Sequence, residues 1–385
     1  MRICMIVSND MLHDSRVDRH ANALGMAGHE VFVICFASAL NQDKRERREH
    51  YSILRFHSRR TLVARKVLHA HSNGTLSSKI RQAIVVVSLI VPARLALYAR
   101  ALRTGAHVCY CNDLDTLDVG IMMKLIGKSV VYDSHELYSE MMPVGPRRRL
   151  SALFERMFIN IADVLITVNP FIASELRRRY NIKKRIHVVL NCPDAQIRPP
   201  SSQAQLKRVT VLYHGGLDAD RGLENLVRAS RNFYDNIRLV IRGEGKLESQ
   251  LKQLAFGRSN VIFEKTVPMN EVVQAATEAD IGVIPYLATN LNQYYCSPNK
   301  LFEYIQAGLV VVTSNLPFLR QTVMENRIGQ VFDPQDPTDI ARKINFVSEK
   351  TNLSNFKRNV KHARQRYTWE EEKEKLYVAC RSLKS

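Results

Sequence analysis

Short, continuous apolar runs alternate along this chain with longer stretches of helical period. Arg2–Ser8 reads RICMIVS and Glu30–Phe36 reads EVFVICF. Runs this short that are apolar on successive residues suit strands buried on both faces, as in a parallel sheet. Between them, Ser15–Gly28 has helical spacing, with Gly28 as its C-terminal stop. This β-α-β opening continues, and further strands are predicted at His107–Cys111, Ser129–Tyr132, Val164–Val168 and His187–Leu190. Helical patterns fall between most of them, which implies a parallel sheet covered on both faces.

The pattern pauses at Asn191–Gln205, NCPDAQIRPPSSQAQ, whose Pro, Ser and Asn content reads as a linker. It then restarts, with strands predicted at Val209–His214, Arg238–Arg242, Val261–Phe263, Ile281–Pro285 and Val310–Thr313. The expected architecture is α/β, two doubly wound domains on either side of a linker at 191–206 and facing a central cleft. In such sheets ligands bind outside the carboxyl ends of the strands.

Composition adds three constraints. At 385 residues, 45% hydrophobic and 24% charged, the chain is neither disordered nor fibrous. Its seven Cys have no paired spacing and no C-x-x-C; Cys109 and Cys111 form only a C-x-C on an expected strand. With no signal-peptide pattern at the start, free thiols point to a reducing cytoplasm. The charge is the unusual property: 56 Lys and Arg stand against 37 Asp and Glu, a net +19. His50–Asn112 has no acid and 10 Lys and Arg, interleaved with aliphatics such as Leu62, Val63, Ile84 and Leu89. Such a segment attracts an anionic surface, lipid or nucleic acid. The longest apolar stretch nearby, Ala83–Ala93, has 11 residues, well short of the roughly 20 that a span requires.

Three clusters carry candidate chemistry. Tyr213–Leu223, YHGGLDADRGL, lies between an expected strand and helix. Its glycines would let backbone approach an anion, and Arg221 adds a charge with bidentate phosphate geometry, although a plain tight turn fits the same residues. Arg242-Gly243-Glu244-Gly245 follows another strand. It is not a G-x-G-x-x-G, which disfavours a nicotinamide enzyme. In Ser297-Pro298-Asn299-Lys300-Leu301-Phe302-Glu303, Pro298 favours a helix start and places Lys300 in the first turn, against the helix dipole. A cation there invites an anionic ligand, and Glu303, one turn on, can accept two ribose hydroxyls, although an exposed helix-face charge fits the same residue. Asp113-Leu114-Asp115 spells D-x-D, but its place after a strand suits a capping or acceptor-side loop better than a metal site. His13, Asp14 and Arg16 form a further polar group after the first strand, with helix capping by Asp14 or Ser15 as the alternative.

The order and spacing of HGGLDADRGLENLVRA, LVIRGEGKLESQL, VIFEKTVPMNEVV, ADIGVIPY and SPNKLFEYIQAGLVVVTSNLP resemble the carboxyl-terminal domain of family 4 glycosyltransferases over about residues 205–345. SNDMLHDSRVDRHANALGMAGHEV and VVYDSHELYSE resemble the amino-terminal half of that group. The resemblance implies a GT-B fold with an acceptor-binding domain at 1–190, a nucleotide-sugar domain at 207–365 and a final helix, 366–385, crossing back to the first domain. It implies transfer from a nucleotide diphosphate sugar, most commonly UDP-linked, with retention and without metal or other cofactor. His135, Arg221 and Lys300 match catalytic positions. Gly215, Gly216, Arg221, Gly243, Thr266, Val267, Ser297, Pro298, Asn299, Lys300 and Glu303 match the donor site, and the loops of His13, Asp14, Arg16 and Asp113 the acceptor side. The chain departs from the family at Tyr295, where the first acid of an E-x7-E pair would stand. It departs again at Gly215-Gly216-Leu217, which lacks an arginine, and at Arg221, which replaces a lysine. Set beside the basic segment, the resemblance implies a peripheral enzyme on the cytoplasmic face of a membrane, acting on a glycan or lipid-linked acceptor. No RNA-binding aromatic motif or zinc spacing supports the alternative of a nucleic-acid-binding protein. An epimerase or hydrolase using the same nucleotide cleft is the other alternative.

Overall fold

The computed structural model describes residues 1–12, 14–37, 45–56, 91–195 and 208–383. These fall into two units: Met1–Thr167 with Leu176–His187 and Leu376–Ser385, and Val168–Glu175 with Val188–Lys375. Each is built on its own sheet with helices, the GT-B type of α/β architecture.

The first sheet is ordered β3-β4-β2-β1-β5-β6-β7-β8. Its strands are β1 Arg2–Ile6, β2 Glu30–Phe36, β3 Arg45–Arg47, β4 Tyr51–Phe56, β5 Val108–Asn112, β6 Ser129–Ser134, β7 Val164–Thr167 and β8 Ile186–Val188. β1 sits between β2 and β5, with Ile3 opposite Val31 and Cys4 opposite Cys109, both ladders parallel. β5 is buried at every position, as its unbroken VCYCN run requires of a central parallel strand. The edge strand β3 runs antiparallel to β4. β3 and β4 were not anticipated: RER is too short and charged to read as a strand. β4 changes the reading of the acid-free segment at its start, because Tyr51, Ile53, Arg55 and Phe56 are buried beside β2 rather than presented to a surface. Of the rest of that segment, 57–90 lies outside the described residues. A helix over 91–103 packs Ala93, Leu97 and Ala101 inward.

The second sheet, β11-β10-β9-β12-β13-β14, is parallel in every ladder. Its strands are β9 Val209–His214, β10 Ile237–Arg242, β11 Val261–Glu264, β12 Ile281–Ile284, β13 Val310–Ser314 and β14 Gly329–Phe332. The core lies between β9, β12 and β13 and the helix Asn299–Ala307, through Val211, Val283, Val311, Leu301, Phe302 and Ile305. That helix ends on Gly308 at φ 82°, the left-handed stop that glycine adopts without strain. Among the described residues no helix is long and apolar enough to cross a membrane. All seven cysteines are free thiols.

The strand-order reversal falls between β1 and β5 in the first unit and between β9 and β12 in the second. Chain connections diverge at such points and leave a crevice at the carboxyl ends. Packing behind the second is tight: a Cβ on Gly282 would lie 2.3 Å from the Tyr304 ring. Gly282→Ala should therefore destabilise the protein by about 1–3 kcal/mol through overpacking, read as a lowered denaturant midpoint.

Candidate functional site

At the carboxyl end of β9 the chain turns through Gly215, whose φ of 120° favours glycine. The turn after β10 lies directly against it, since a Cβ on Gly243 would fall 1.9 Å from the Gly215 carbonyl oxygen. Gly216 accepts a hydrogen bond from the Tyr213 hydroxyl at 2.6 Å. Gly222, at φ 64°, leaves no room for a side chain beside the Pro285 carbonyl, 1.9 Å from a Cβ there. This close approach fixes Arg221, whose guanidinium lies 4.3 Å from the centre of the Tyr286 ring.

Lys300 enters the same space from the first turn of helix Asn299–Ala307. It is buried, with Nζ 3.8 Å from the centre of the Tyr213 ring and 4.8 Å from that of Tyr286. Gly215 makes room for it, because a Cβ there would be 3.1 Å from Nζ. Lys300 has no ion pair among the described residues. Burial, and after it the charge of Arg221, pushes its pKa well below the usual lysine range, with Glu303 pulling the other way. Glu303 accepts from His214 Nε2 at 2.8 Å. Burial lowers the His214 pKa against the pull of that carboxylate, so the neutral ring donates from Nε2 and leaves Nδ1 buried without a partner. Ser297 Oγ, just ahead of the helix, is likewise buried and unpartnered. Asn299 accepts from Asn191 at 2.6 Å, and Pro298 occupies the N-cap.

The structure thus gathers Gly215, Gly216, Arg221, Gly243, Ser297, Pro298, Asn299, Lys300 and Glu303 around the carboxyl ends of β9 and β10. Thr266 and Val267 follow the edge strand β11, where the Thr266 hydroxyl donates to Glu244 at 3.2 Å. Arg221 has Asp220 at 3.6 Å, whereas Lys300 and the Ser297 hydroxyl have no such partner among the described residues, and buried donors of that kind can hold an anion. At the position of the absent family acid, the Tyr295 ring stacks on Phe171, centroids 6.1 Å apart and 14° from parallel. Its carbonyl accepts from Asn169 at 2.7 Å.

The first unit brings together a different set at the ends of β5 and β6. Asp133 is fully buried and takes two hydrogen bonds from Arg16, at 2.8 and 3.1 Å, and one from the Tyr110 hydroxyl at 3.1 Å. His20 meets that hydroxyl at 2.8 Å. His135 lies with Nδ1 3.2 Å from Asp113 and Nε2 3.5 Å from Asp133, and its backbone N–H donates to Asp113 at 2.9 Å. Asp113 adopts φ 62°, which aims its carboxylate back at His135. Burial disfavours the imidazolium, but the two carboxylates outweigh it and hold the His135 pKa well above its usual range. Burial also opposes charge on Asp133, yet Arg16 and His135 hold its pKa well below the usual range. Asp14 caps helix Ser15–Met26 by accepting from Val17 N–H at 3.0 Å. His13 lies outside the described residues. Asp133, Tyr110, His20 and Tyr286 were not singled out from sequence, and Tyr213 and His214 entered only as the first residues of the Tyr213–Leu223 run, without a role; the acid and histidine of D-S-H at the end of β6 were the available signal.

These shifts set a pH window. The His135 contribution to stability is fully present below its ordinary pKa near 6.5 and is lost as pH rises through the raised folded value. The Asp133 contribution is present above about 3.8 and is lost as pH falls through its lowered folded value. His135→Gln should flatten the alkaline fall in the urea midpoint, as denaturation from about pH 5 to 9 would show.

Comparisons with known proteins identify the family and the fold. The model for Glycosyltransferase Family 4 matches residues 15–196, and that for Glycosyl transferases group 1 matches residues 176–366. The alpha-maltose-1-phosphate synthase of Mycolicibacterium smegmatis is 22% identical over 208 residues, 48% of this chain and 52% of that protein. The chain spans about half the length of the curated relatives it matches. Among solved structures, a sucrose-phosphate synthase from Thermosynechococcus elongatus superposes with a TM-score of 0.77 at 17% identity, covering 99% of this chain and 98% of that one. The Anabaena protein HepE, in complex with UDP and glucose, superposes at 0.71 and 15% identity, covering 100% of both chains. With the two family models running together from residue 15 to 366, the chain belongs to the GT-B glycosyltransferases of the family 4 type.

Proposed function

We propose that this protein moves a sugar from a nucleotide diphosphate sugar, preferably UDP-linked, to a glycan or lipid-linked acceptor, with retention of configuration and without a metal ion. The observation that carries this reading is Lys300, a buried cation beside Arg221 that faces two tyrosine rings and no carboxylate. Transfer breaks the bond from the anomeric carbon to the diphosphate oxygen, and negative charge grows on the leaving group. Cations and N–H donors fixed beforehand stabilise that charge. Arg221, Lys300 and the first turn of helix Asn299–Ala307 take this role, with Ser297 Oγ free to donate. Glu303, oriented by His214, grips the ribose, and the base meets backbone near Thr266 and Val267. The family resemblance implies front-face attack: the acceptor oxygen attacks the anomeric carbon from the face that the leaving group vacates, and its proton passes to the departing phosphate.

On the acceptor side, the Asp113–His135–Asp133–Arg16 network presents a charged imidazole at the strand ends of the first unit. A peripheral, cytoplasmic-face location is supported by the sequence of 57–90, which has no acid and six Lys and Arg; of the other basic residues in the acid-free run, Arg55 and Arg94 are engaged with Glu46 and Asp118. The names of the similar proteins agree with a sugar-transfer reading: two are synthases of sugar phosphates and one was solved with UDP and glucose.

A panel of labelled UDP-, GDP- and ADP-sugars tests the donor. Transfer to acceptor from none of them would overturn the reading, and product from donor alone would make the protein a hydrolase or epimerase. Glu303→Ala should weaken donor binding by about 1.5–3 kcal/mol, the range for hydrogen bonds to a charged group, in calorimetric titration. A second signature follows from the depressed Lys300 pKa. An arriving diphosphate favours the charged lysine, so the complex should take up a proton. Titrations of UDP in buffers of different ionisation enthalpy should show that uptake at mildly alkaline pH, and Lys300→Met should abolish it.

A further inference from the structure

Helix Pro146–Phe158, PRRRLSALFERMF, carries apolar residues on both sides, with Phe154 and Phe158 half-buried on its inward side. That side is anchored by a buried acid: Glu155 accepts from the Tyr132 hydroxyl at 2.8 Å and the Tyr180 hydroxyl at 2.7 Å. Arg148, on the same side, pairs with Glu140, which also holds Arg179 at 2.7 Å. Its outward side is apolar. Leu150, Leu153 and Met157, spaced i, i+3 and i+7, fall in one stripe and are 68%, 51% and 56% exposed. The approach to the helix adds Val144 at 87% and Met141 at 54%. At 100° per residue, Arg149 and Arg156 flank this stripe on one side and Arg147 on the other, and all three are exposed. The helix's one acid, Glu155, points into the core.

We propose that this face is a membrane-docking surface, in which Leu150, Leu153 and Met157 enter the acyl boundary of an anionic leaflet while Arg147, Arg149 and Arg156 meet lipid phosphates. Charge decides the occupant. An apolar stripe bordered on both sides by arginines, with no exposed acid on the helix, matches a surface that is apolar at depth and negative at its rim. A protein partner would need a ring of acids around an apolar groove. Exposed leucines scattered singly need no explanation, but three large apolar side chains in one helical stripe do. Position gives the surface a purpose. The helix is reached by the loop that leaves the carboxyl end of β6 at His135, so docking it brings the leaflet to the strand ends where the acceptor is expected. The inference rests on the peripheral reading above and assigns it to residues outside the acid-free segment.

Co-sedimentation of the full chain with phosphatidylcholine vesicles, with and without about one third phosphatidylglycerol, tests it at low salt. The wild type should bind the anionic vesicles selectively. Leu150→Gln/Leu153→Gln/Met157→Gln and, separately, Arg147→Gln/Arg149→Gln/Arg156→Gln should each lose at least about tenfold in partition, since each arginine alone contributes roughly fivefold. UDP binding, read by calorimetry, should be unchanged in both. Leu153→Trp should blue-shift with anionic vesicles against the background of the single native Trp369, which is buried. Undiminished binding by both triple variants would overturn the inference while leaving the peripheral reading in place, whereas a wild type that ignores anionic vesicles would overturn both. A dimer in solution that the leucine variant converts to monomer, with vesicle binding intact, would make the face an interface between copies and would also overturn it.

Discussion

Burying a lysine without a carboxylate is expensive, and the second unit is arranged around having done so. Desolvation of an ammonium costs several kcal/mol unless something replaces the water. Here the replacement is two tyrosine faces, whose quadrupoles return only part of that cost. A carboxylate at the same distance would return more, but it would also occupy the charge. The nearest acid, Glu303, is instead directed to His214. The site keeps its cation uncommitted, and the local glycines follow from that choice. Gly215 clears the space beside Nζ, Gly243 lets the neighbouring turn close on Gly215, and Gly222 lets the Arg221 turn abut Pro285.

The first unit handles buried charge the opposite way. Asp133 is saturated by Arg16 and Tyr110, with His135 and His20 within ion-pair reach. Such a network is worth little as net stability but holds its members to one geometry, because removing any partner strands a buried charge. His135 is the most exposed member of this group, and its Nε2 lacks a well-aligned hydrogen bond. The rigidity of Arg16 and Asp133 is thus delivered to a single imidazole at the open end of the sheet.

Much of this was legible in the sequence, and the limits have physical causes. Unbroken apolar runs such as VCYCN and VVVTS announced central parallel strands, because burial on both faces leaves no polar alternation. β3 escaped because three residues, RER, carry no apolar signal and owe their conformation to pairing with β4. Gly215, Arg221, Lys300 and Glu303 could be named in advance because turns and helix starts are written locally. What surrounds them could not. Tyr213, Tyr286 and His214 read as ordinary strand-end residues until tertiary packing places them against Lys300 and Glu303. Asp14 and Arg16 were grouped from sequence as one polar cluster. The fold separates them, one capping a helix and the other paired deep in the core, because successive helical positions point 100° apart.

Helix Pro146–Phe158 turns a carboxylate inward and leucines outward. Glu155 has two tyrosine hydroxyls waiting for it at Tyr132 and Tyr180, and two hydrogen bonds to a carboxylate can outweigh the burial of one leucine. Once Glu155 is fixed inward, the 3.6-residue period leaves Leu150, Leu153 and Met157 no direction but outward. The exposed apolar stripe is therefore a consequence of a polar anchor. An outward leucine forced by folding alone could be replaced by a polar residue at no loss, yet three such positions in register are all large and apolar. That coincidence ties the stripe to a surface that covers it.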